Sequence, residues 1–257
     1  MAAALSEAHE RGVAFPAGAA SDRVVCPRRL PIKPLVGLAR TISFRAVNER
    51  HAMTVDALLP LAFLEAVRTV DAPDDDRDAE YVPELRNKKL GLSDTVYAQV
   101  QRYAESVRRG HRIPYDEAAA LARLVGRRPD AEVVFRSAGR YLAGEAFHRI
   151  AAPTRAILRL LPSVMSRPLA LRHIRRISQR FLNGEVTRVG SSLLLSVSPS
   201  VTRDAGPRQT GCAFYEATLR ELLRMLVDGA GAVEHVRCES RGEGKCAWRA
   251  EWRAAAR

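Results

Sequence analysis

The hydrophobic period changes at Gly184, and that change constrains the fold more than any other feature of the chain. Upstream, apolar residues recur at helical spacing. Val96, Val100, Tyr103 and Val107 lie at i, i+4, i+7 and i+11 behind Ser93, a good N-cap, and Gly110 closes the run. Downstream the period is two. EVTRV (185–189) and LLLSVS (193–198) flank a Gly-Ser-Ser break and read as two strands joined by a turn. A helix expected from Cys212 to Val227, with Phe214, Thr218, Leu222 and Met225 on one face, separates these strands from a closing hairpin, AVEHVRC and KCAWRAEW around GEG (242–244). The expected fold class is α+β: a helical N-terminal half, then helices packed on a small antiparallel sheet.

Three regions follow. Residues 1–34 read as a loose tail and a Pro/Arg linker, 35–127 as a helical region and 128–257 as the α+β domain. Within 35–70, Leu58, Leu61, Phe63, Leu64 and Val67 make an apolar face, and an acidic loop, DAPDDDRD (71–78), ends it. That loop lacks the ligand spacing and closing Glu of an EF-hand, so it reads as solvated. A helix over 115–125 should turn Ala119, Leu121, Leu124 and Val125 inward. The next starts at Pro129 and Asp130, with Val134, Ala138, Tyr141 and Leu142 on one face. Its small residues, Ala138, Gly139, Ala143 and Gly144, let another backbone approach closely. Further helices are expected at about 153–161 and from Pro168 to Leu182.

Charge is lopsided. The formal net charge is +12, and 37 of the 41 basic residues are arginine. Codon usage in a GC-rich bacterial genome accounts for such a bias, and arginine stems cover apolar helix faces at no physical cost. Part of the excess is localised. Arg172, Arg175, Arg176 and Arg180 form one stripe of a helix, an anion-binding candidate for nucleic acid or a membrane surface, although a solvated face is the plainer reading. The longest apolar run, 57–67, falls short of the ~20 residues a membrane span needs and is broken by Pro60 and Glu65. The first residues carry Glu7 and Glu10 and no basic n-region, so no secretory signal is expected. A cytoplasmic protein with reduced cysteines follows.

Cysteine usage says the most about function. Cys26 stands alone in the linker, whereas Cys212, Cys238 and Cys246 fall in the last strand–helix–strand unit. Cys238 and Cys246 are equidistant from Gly242, so a hairpin centred there sets them opposite each other, with Cβ atoms about 5 Å apart. Cys212 opens the preceding helix, where the N-terminus favours thiolate. Three thiolates need a fourth ligand to close a tetrahedral zinc site. Glu234 and His235 are both in reach. Strand alternation puts Glu234 on the face of Cys238 and sends His235 to the other, unless a bulge or strand end intervenes. Idle buried thiols, or a disulfide between Cys238 and Cys246, remain open on spacing alone.

The stretch GCAFYEATLRELLRMLVDGAGAVEHVRCESRGEGKCAWRAEW resembles the C-terminal half of the 4-vinyl reductase (hydrocarbon-binding) domain family. That pattern is a Cys followed by an aromatic and a long helix, a Gly turn, a strand ending in Cys, then a Gly turn and Cys-x-aromatic. RSAGRYLAG and the paired strands at 185–198 also look like the family, and the resemblance spans roughly residues 128–253. It implies an α+β fold shared with subunits of vesicle-tethering particles and with haem-based nitric-oxide sensors. It also implies a zinc site beside an aromatic-binding pocket, as in sensory modules of phenol-responsive transcription activators. The family's zinc ligands are three Cys and a Glu three residues before the second Cys. His235 stands at that position here, so the resemblance implies zinc held by Cys212, His235, Cys238 and Cys246.

The expected function is therefore ligand binding or sensing, with a hydrophobic or aromatic small molecule lodged among Phe181, Phe214, Tyr215 and Trp248, and with a structural zinc. A homodimer and a signalling partner protein are expected, because no ATPase or helix-turn-helix motif is present. The alternatives are a scaffold or dimerisation protein, or a binder of nucleic acid or membrane surface through the basic helix, with nucleic acid the less favoured. No Walker A, HExxH, nucleophile elbow or dinucleotide loop appears, and His9, His51, His111, His148 and His173 have no telling carboxylate partner. No catalytic residue is assigned.

Overall fold

A computed structural model describes residues 53–72, 89–160, 163–227 and 231–251. The expected tail and linker with Cys26, the 35–52 part of the first helical region and residues 73–78 of the acidic loop lie outside them. The described residues all belong to one compact unit, Ile42–Arg257.

Its centre is α1 (Leu58–Asp71). From Leu58 to Val67 every residue except Glu65 is buried. A helix that is apolar on all sides belongs in the middle of a fold. Around it lie α2 (Asp94–Arg108), α3 (Tyr115–Val125), α4 (Ala131–His148) and α7 (Ala213–Val227). Ser93 caps α2 as its sequence predicts, its side chain accepting from the N–H of Val96 at 3.3 Å. α5 (Ala152–Leu160) and α6 (Ser163–Phe181) lead to the sheet. The α+β class holds, and residues on both sides of position 127 line one continuous core.

The main sheet is antiparallel, in the order β3 (Gly184–Val189), β4 (Ser192–Val197), β6 (Cys246–Glu251), β5 (Val233–Arg237). The two central strands carry the alternation. Leu193, Leu195 and Val197 on β4, and Cys246, Trp248 and Ala250 on β6, are buried. Helix α6 packs on β3, and α7 on β5 and β6. The small-residue expectation is met on α4 at Gly139, whereas a Cβ on Gly144 would meet open space. A Cβ on Gly139 would fall 2.4 Å from the carbonyl oxygen of Phe214, so the backbones of α4 and α7 touch there. That contact fixes the first turn of α7, directly after Cys212.

Three expectations need correction. Thr54–Asp56 is not helical; it is a short strand, β1, pairing antiparallel with β2 (Arg112–Pro114). Three-residue strands carry too little pattern to register a period. Leu124 faces solvent at 54% exposure, and Ala118 and Ala122 take the inward positions with Val125. Helix α6, expected from Pro168, starts at Ser163 and contains Pro168. Pro168 is exposed, so water can satisfy the carbonyl that its missing N–H frees. Among the described residues no helix is long and apolar enough to cross a membrane.

Candidate metal centre

The sequence around the cysteines folds as a hairpin whose loop begins with a single 3-10 turn, Glu239–Arg241, and Gly242 follows it at φ +83°. Cys246 opens β6. Cys238 sits just past β5 with extended backbone angles, and Cys212 closes the 3-10 turn Pro207–Cys212 that runs into α7. The three elements converge at one end of the sheet.

Which residue joins them is decided by one irregularity. In the regular part of the β5–β6 ladder, Val233 faces Ala250, Glu234 faces Arg249 and His235 faces Trp248. His235 thus shares a face with Trp248 and, two residues along β6, with Cys246. Beyond it the register slips, and Arg237 faces Ala247. This bulge inserts an extra residue, Val236, and returns Cys238 to the face that His235 already occupies. Plain alternation selects Glu234; the bulge replaces it with His235. Glu234 instead lies exposed in an ion pair with Arg249 at 2.9 Å.

One donor atom from each of Cys212, His235, Cys238 and Cys246 lies within 4.8 Å of all the others. The three cysteines are free thiols, buried from solvent. Cys212 Sγ and Cys238 Sγ are 3.9 Å apart. That is far beyond a disulfide bond and close to the ~3.8 Å edge of a tetrahedron with metal–sulfur bonds of about 2.3 Å. Nε2 of His235 is buried and has no hydrogen-bond partner. Buried polar atoms are rarely left so. An unpaired imidazole nitrogen among three buried sulfurs is what a soft, nitrogen- and sulfur-preferring cation requires, so the residues fit a metal ion.

The sulfurs shift one another's acidity. The hydrogen bond with Cys246 and burial push the Cys212 thiol far up. The hydrogen bond from Cys212 holds Cys246 down at about 4 against the cost of burial, with His235 and the Glu239 N–H also helping. That N–H lies 3.3 Å from Cys246 Sγ. Cys246 is the sulfur on which these donors converge.

A second layer of contacts fixes the loop. Glu239 accepts from the Ser200 N–H at 3.1 Å and from Arg203 Nη1 at 2.9 Å. Ser240 Oγ donates to the Arg203 carbonyl at 2.7 Å, and Glu243 accepts from the Cys238 N–H. Such contacts orient ligands and tune the site. Sequence reasoning missed them, since Glu239 and Arg203 are 36 positions apart and carry no local signal.

The four aromatic side chains expected around a ligand are not brought together as one set. His235 stacks on Trp248 at 4.9 Å, Trp248 on Tyr215 at 4.8 Å, and Tyr215 meets Phe214 edge-on at 5.0 Å. Phe214 then touches Phe63 of α1. Phe214, Tyr215 and Trp248 are fully buried against one another, and Phe181 lies apart beneath Arg149 and Arg180. These rings are used in packing. The cavity at the metal cluster is a different one, of about 500 Å³, walled by Glu132, Arg136, Gln209, Thr210 and Glu216 together with Cys212 and His235. Arg136 spans its wall, bridging Glu132 at 2.9 Å and Glu216 at 3.1 Å.

The basic stripe is partly consumed by the fold. Arg175 Nε donates to the Val186 carbonyl at 3.0 Å, and Arg180 pairs with Asp56 at 3.3 Å. Arg172 and Arg176 point into solvent. Burial, then Arg176 and Arg172, lower the pKa of His173 between them. The chain matches no protein-family model and no curated protein.

Proposed function

We infer that this chain is a ligand-binding, sensory protein whose C-terminal hairpin is stapled to α7 by a structural zinc ion. The observation that carries this is the four-donor cluster with its unpartnered His235 nitrogen. Three thiols and an imidazole favour zinc over the oxygen-seeking cations, and four protein ligands leave no open position for a reacting water. When bound, the ion supplies cross-linking of three chain segments. It does not activate a substrate. The sensory part rests on the resemblance of residues 128–253 and on the cavity whose wall includes two of the four donors. A small molecule there would sit against Cys212 and His235, so its binding and the hairpin's geometry would be linked. The mixed wall fits a ligand that places a polar group beside Arg136. A homodimer, a cytoplasmic location and a partner that reads the signal complete the reading.

The test is elemental analysis and native mass spectrometry of the purified full chain. About one zinc per chain is expected, with a small molecule retained in the native spectrum. Cys238→Ser should lose the metal. Protein without metal, whose stability is unchanged by Cys238→Ser, would overturn the proposal.

A further inference from the structure

Between Glu145 and Glu185 the chain carries no acidic residue, yet it carries eight arginines: 149, 155, 159, 167, 172, 175, 176 and 180. Two-thirds of the net charge of +12 therefore lies in less than a sixth of the sequence. The same stretch holds three large apolar side chains in solvent: Ile157 at 48%, Leu160 at 84% and Met165 at 63% exposure. Helical geometry sorts them. On α6, Ser166, Ala170, Ile174, Ile177 and Phe181 are buried, and Met165, Pro168, Arg172, Arg175 and Arg176 form the outer face. On α5, Ile157 and Leu160 stand three apart on one exposed side, and only Leu158 is buried among the side chains described. Among the described residues, Arg172 and Arg176 are exposed and engage no carboxylate.

A solvated basic face needs no apolar side chains. A nucleic-acid face wants aromatics to stack on bases, and both phenylalanines of this stretch, Phe147 and Phe181, are buried. Exposed aliphatics beside unpaired cations, with carboxylates excluded, match the chemistry of an anionic lipid surface. There aliphatic side chains enter the acyl boundary while arginines meet headgroup phosphates.

We propose that α5 and the outer face of α6 form a peripheral docking surface for membranes rich in anionic lipid. Ile157, Leu160 and Met165 are the inserting side chains, and Arg172 and Arg176 are the headgroup contacts. Binding is reversible and weakens with salt, because each cation near the surface contributes roughly a fivefold gain in partitioning.

The test is flotation of the full chain with vesicles at two compositions: phosphatidylcholine alone, and phosphatidylcholine with about one-third phosphatidylglycerol. Retention on the anionic vesicles and its loss on the neutral ones are expected at low salt, with weakening as salt is raised. Arg172→Gln with Arg176→Gln should lower anionic-vesicle binding by on the order of tenfold or more. Ile157→Ser with Leu160→Ser should lower it comparably. Both pairs are exposed, and unchanged circular dichroism and metal content report that the variants are folded. Absence of binding, or equal binding to both vesicle types, overturns the proposal. So does binding that survives Ile157→Ser with Leu160→Ser and is displaced by an oligonucleotide or polyglutamate, which would assign the face to an acidic macromolecule.

Discussion

Two buried polar clusters sit in this molecule, and they are finished in different ways. At the C-terminal end of α1, Asp71 accepts from the Gly91 N–H at 2.8 Å and takes both Nη1 and Nη2 of Arg128, at 2.9 and 2.7 Å. Arg128 turns its remaining donors to Asp130. Burial alone would raise the Asp71 pKa, but Arg128, the Gly91 N–H and the Arg128 charge together hold it below the ordinary value. Each charged side chain in that cluster is answered by the chain itself. Around Cys246 the same protein leaves an imidazole nitrogen unanswered among three buried free thiols. The first cluster is closed by protein atoms; the second keeps a free nitrogen and three thiols grouped where a metal ion could be held. Burial and polarity are common to both, so what separates a structural ion pair from a metal site is unfilled valence.

The largest break in that symmetry should come from removing the ion. Structural zinc carries on the order of 10 kcal/mol of apparent binding free energy. A strong chelator should lower the melting temperature by more than about 10 °C. Faster hydrogen exchange should concentrate in residues 231–251 and leave α1 and α2 protected. Acid offers a second route. Thiolate and imidazole compete with protons for a bound ion, so metal should leave as pH falls. The contribution of Asp71, whose folded pKa is depressed, is complete above the ordinary carboxylate pKa near 3.9. It is lost only as pH falls further, through the folded value. A zinc-sensitive dye and a circular dichroism titration should therefore show metal release before the helical core loosens; coincident transitions would mean that the two clusters are not independent.

Next in size is the reverse experiment. Asp71→Ala leaves Arg128 held by Asp130 alone and takes the acceptor from the buried Gly91 N–H, and should cost on the order of 3 kcal/mol by denaturant titration. Zinc content should stay near one per chain. A variant that loses metal as well would place both clusters in one cooperative unit.

The smallest effect is expected from Gly139→Ala. The added methyl meets the Phe214 carbonyl, and overpacking of this kind costs about 1–3 kcal/mol. Because that contact seats the start of α7, zinc affinity should fall along with stability, whereas a change confined to Asp71 should spare it. Competition with a chromophoric chelator separates the two.

Much of this was legible in the sequence where local physics dominates. The period change at Gly184, the Ser93 cap, the small-residue face of α4 and the clustering of three cysteines are short-range signals, and the structure follows them. The fourth ligand was not legible from alternation, because a bulge is a tertiary compromise that leaves no periodic trace. The aromatic side chains Phe214, Tyr215 and Trp248 are pocket candidates in the sequence, with core packing the plainer reading of each one. Only the structure shows them filling each other's space, and it places the cavity among Glu132, Arg136 and Glu216. Leu124 was misplaced because a helix as short as α3 can rotate by one position when Ala118 and Ala122 allow a neighbour closer.

The slipped register in β5 has a last consequence, one of parity. His235 and Cys238 are separated by an odd number of steps, and an undisturbed strand brings together only even ones. The extra residue at Val236 converts odd to even, so the choice of ligand is written in a count and not in a composition. Exchanging Glu234 with His235 would leave mass, charge and hydrophobicity untouched. It would nonetheless turn the imidazole out toward Arg249 and the carboxylate in toward the sulfurs, and a donor set suited to a soft cation would become one with a hard oxygen in it.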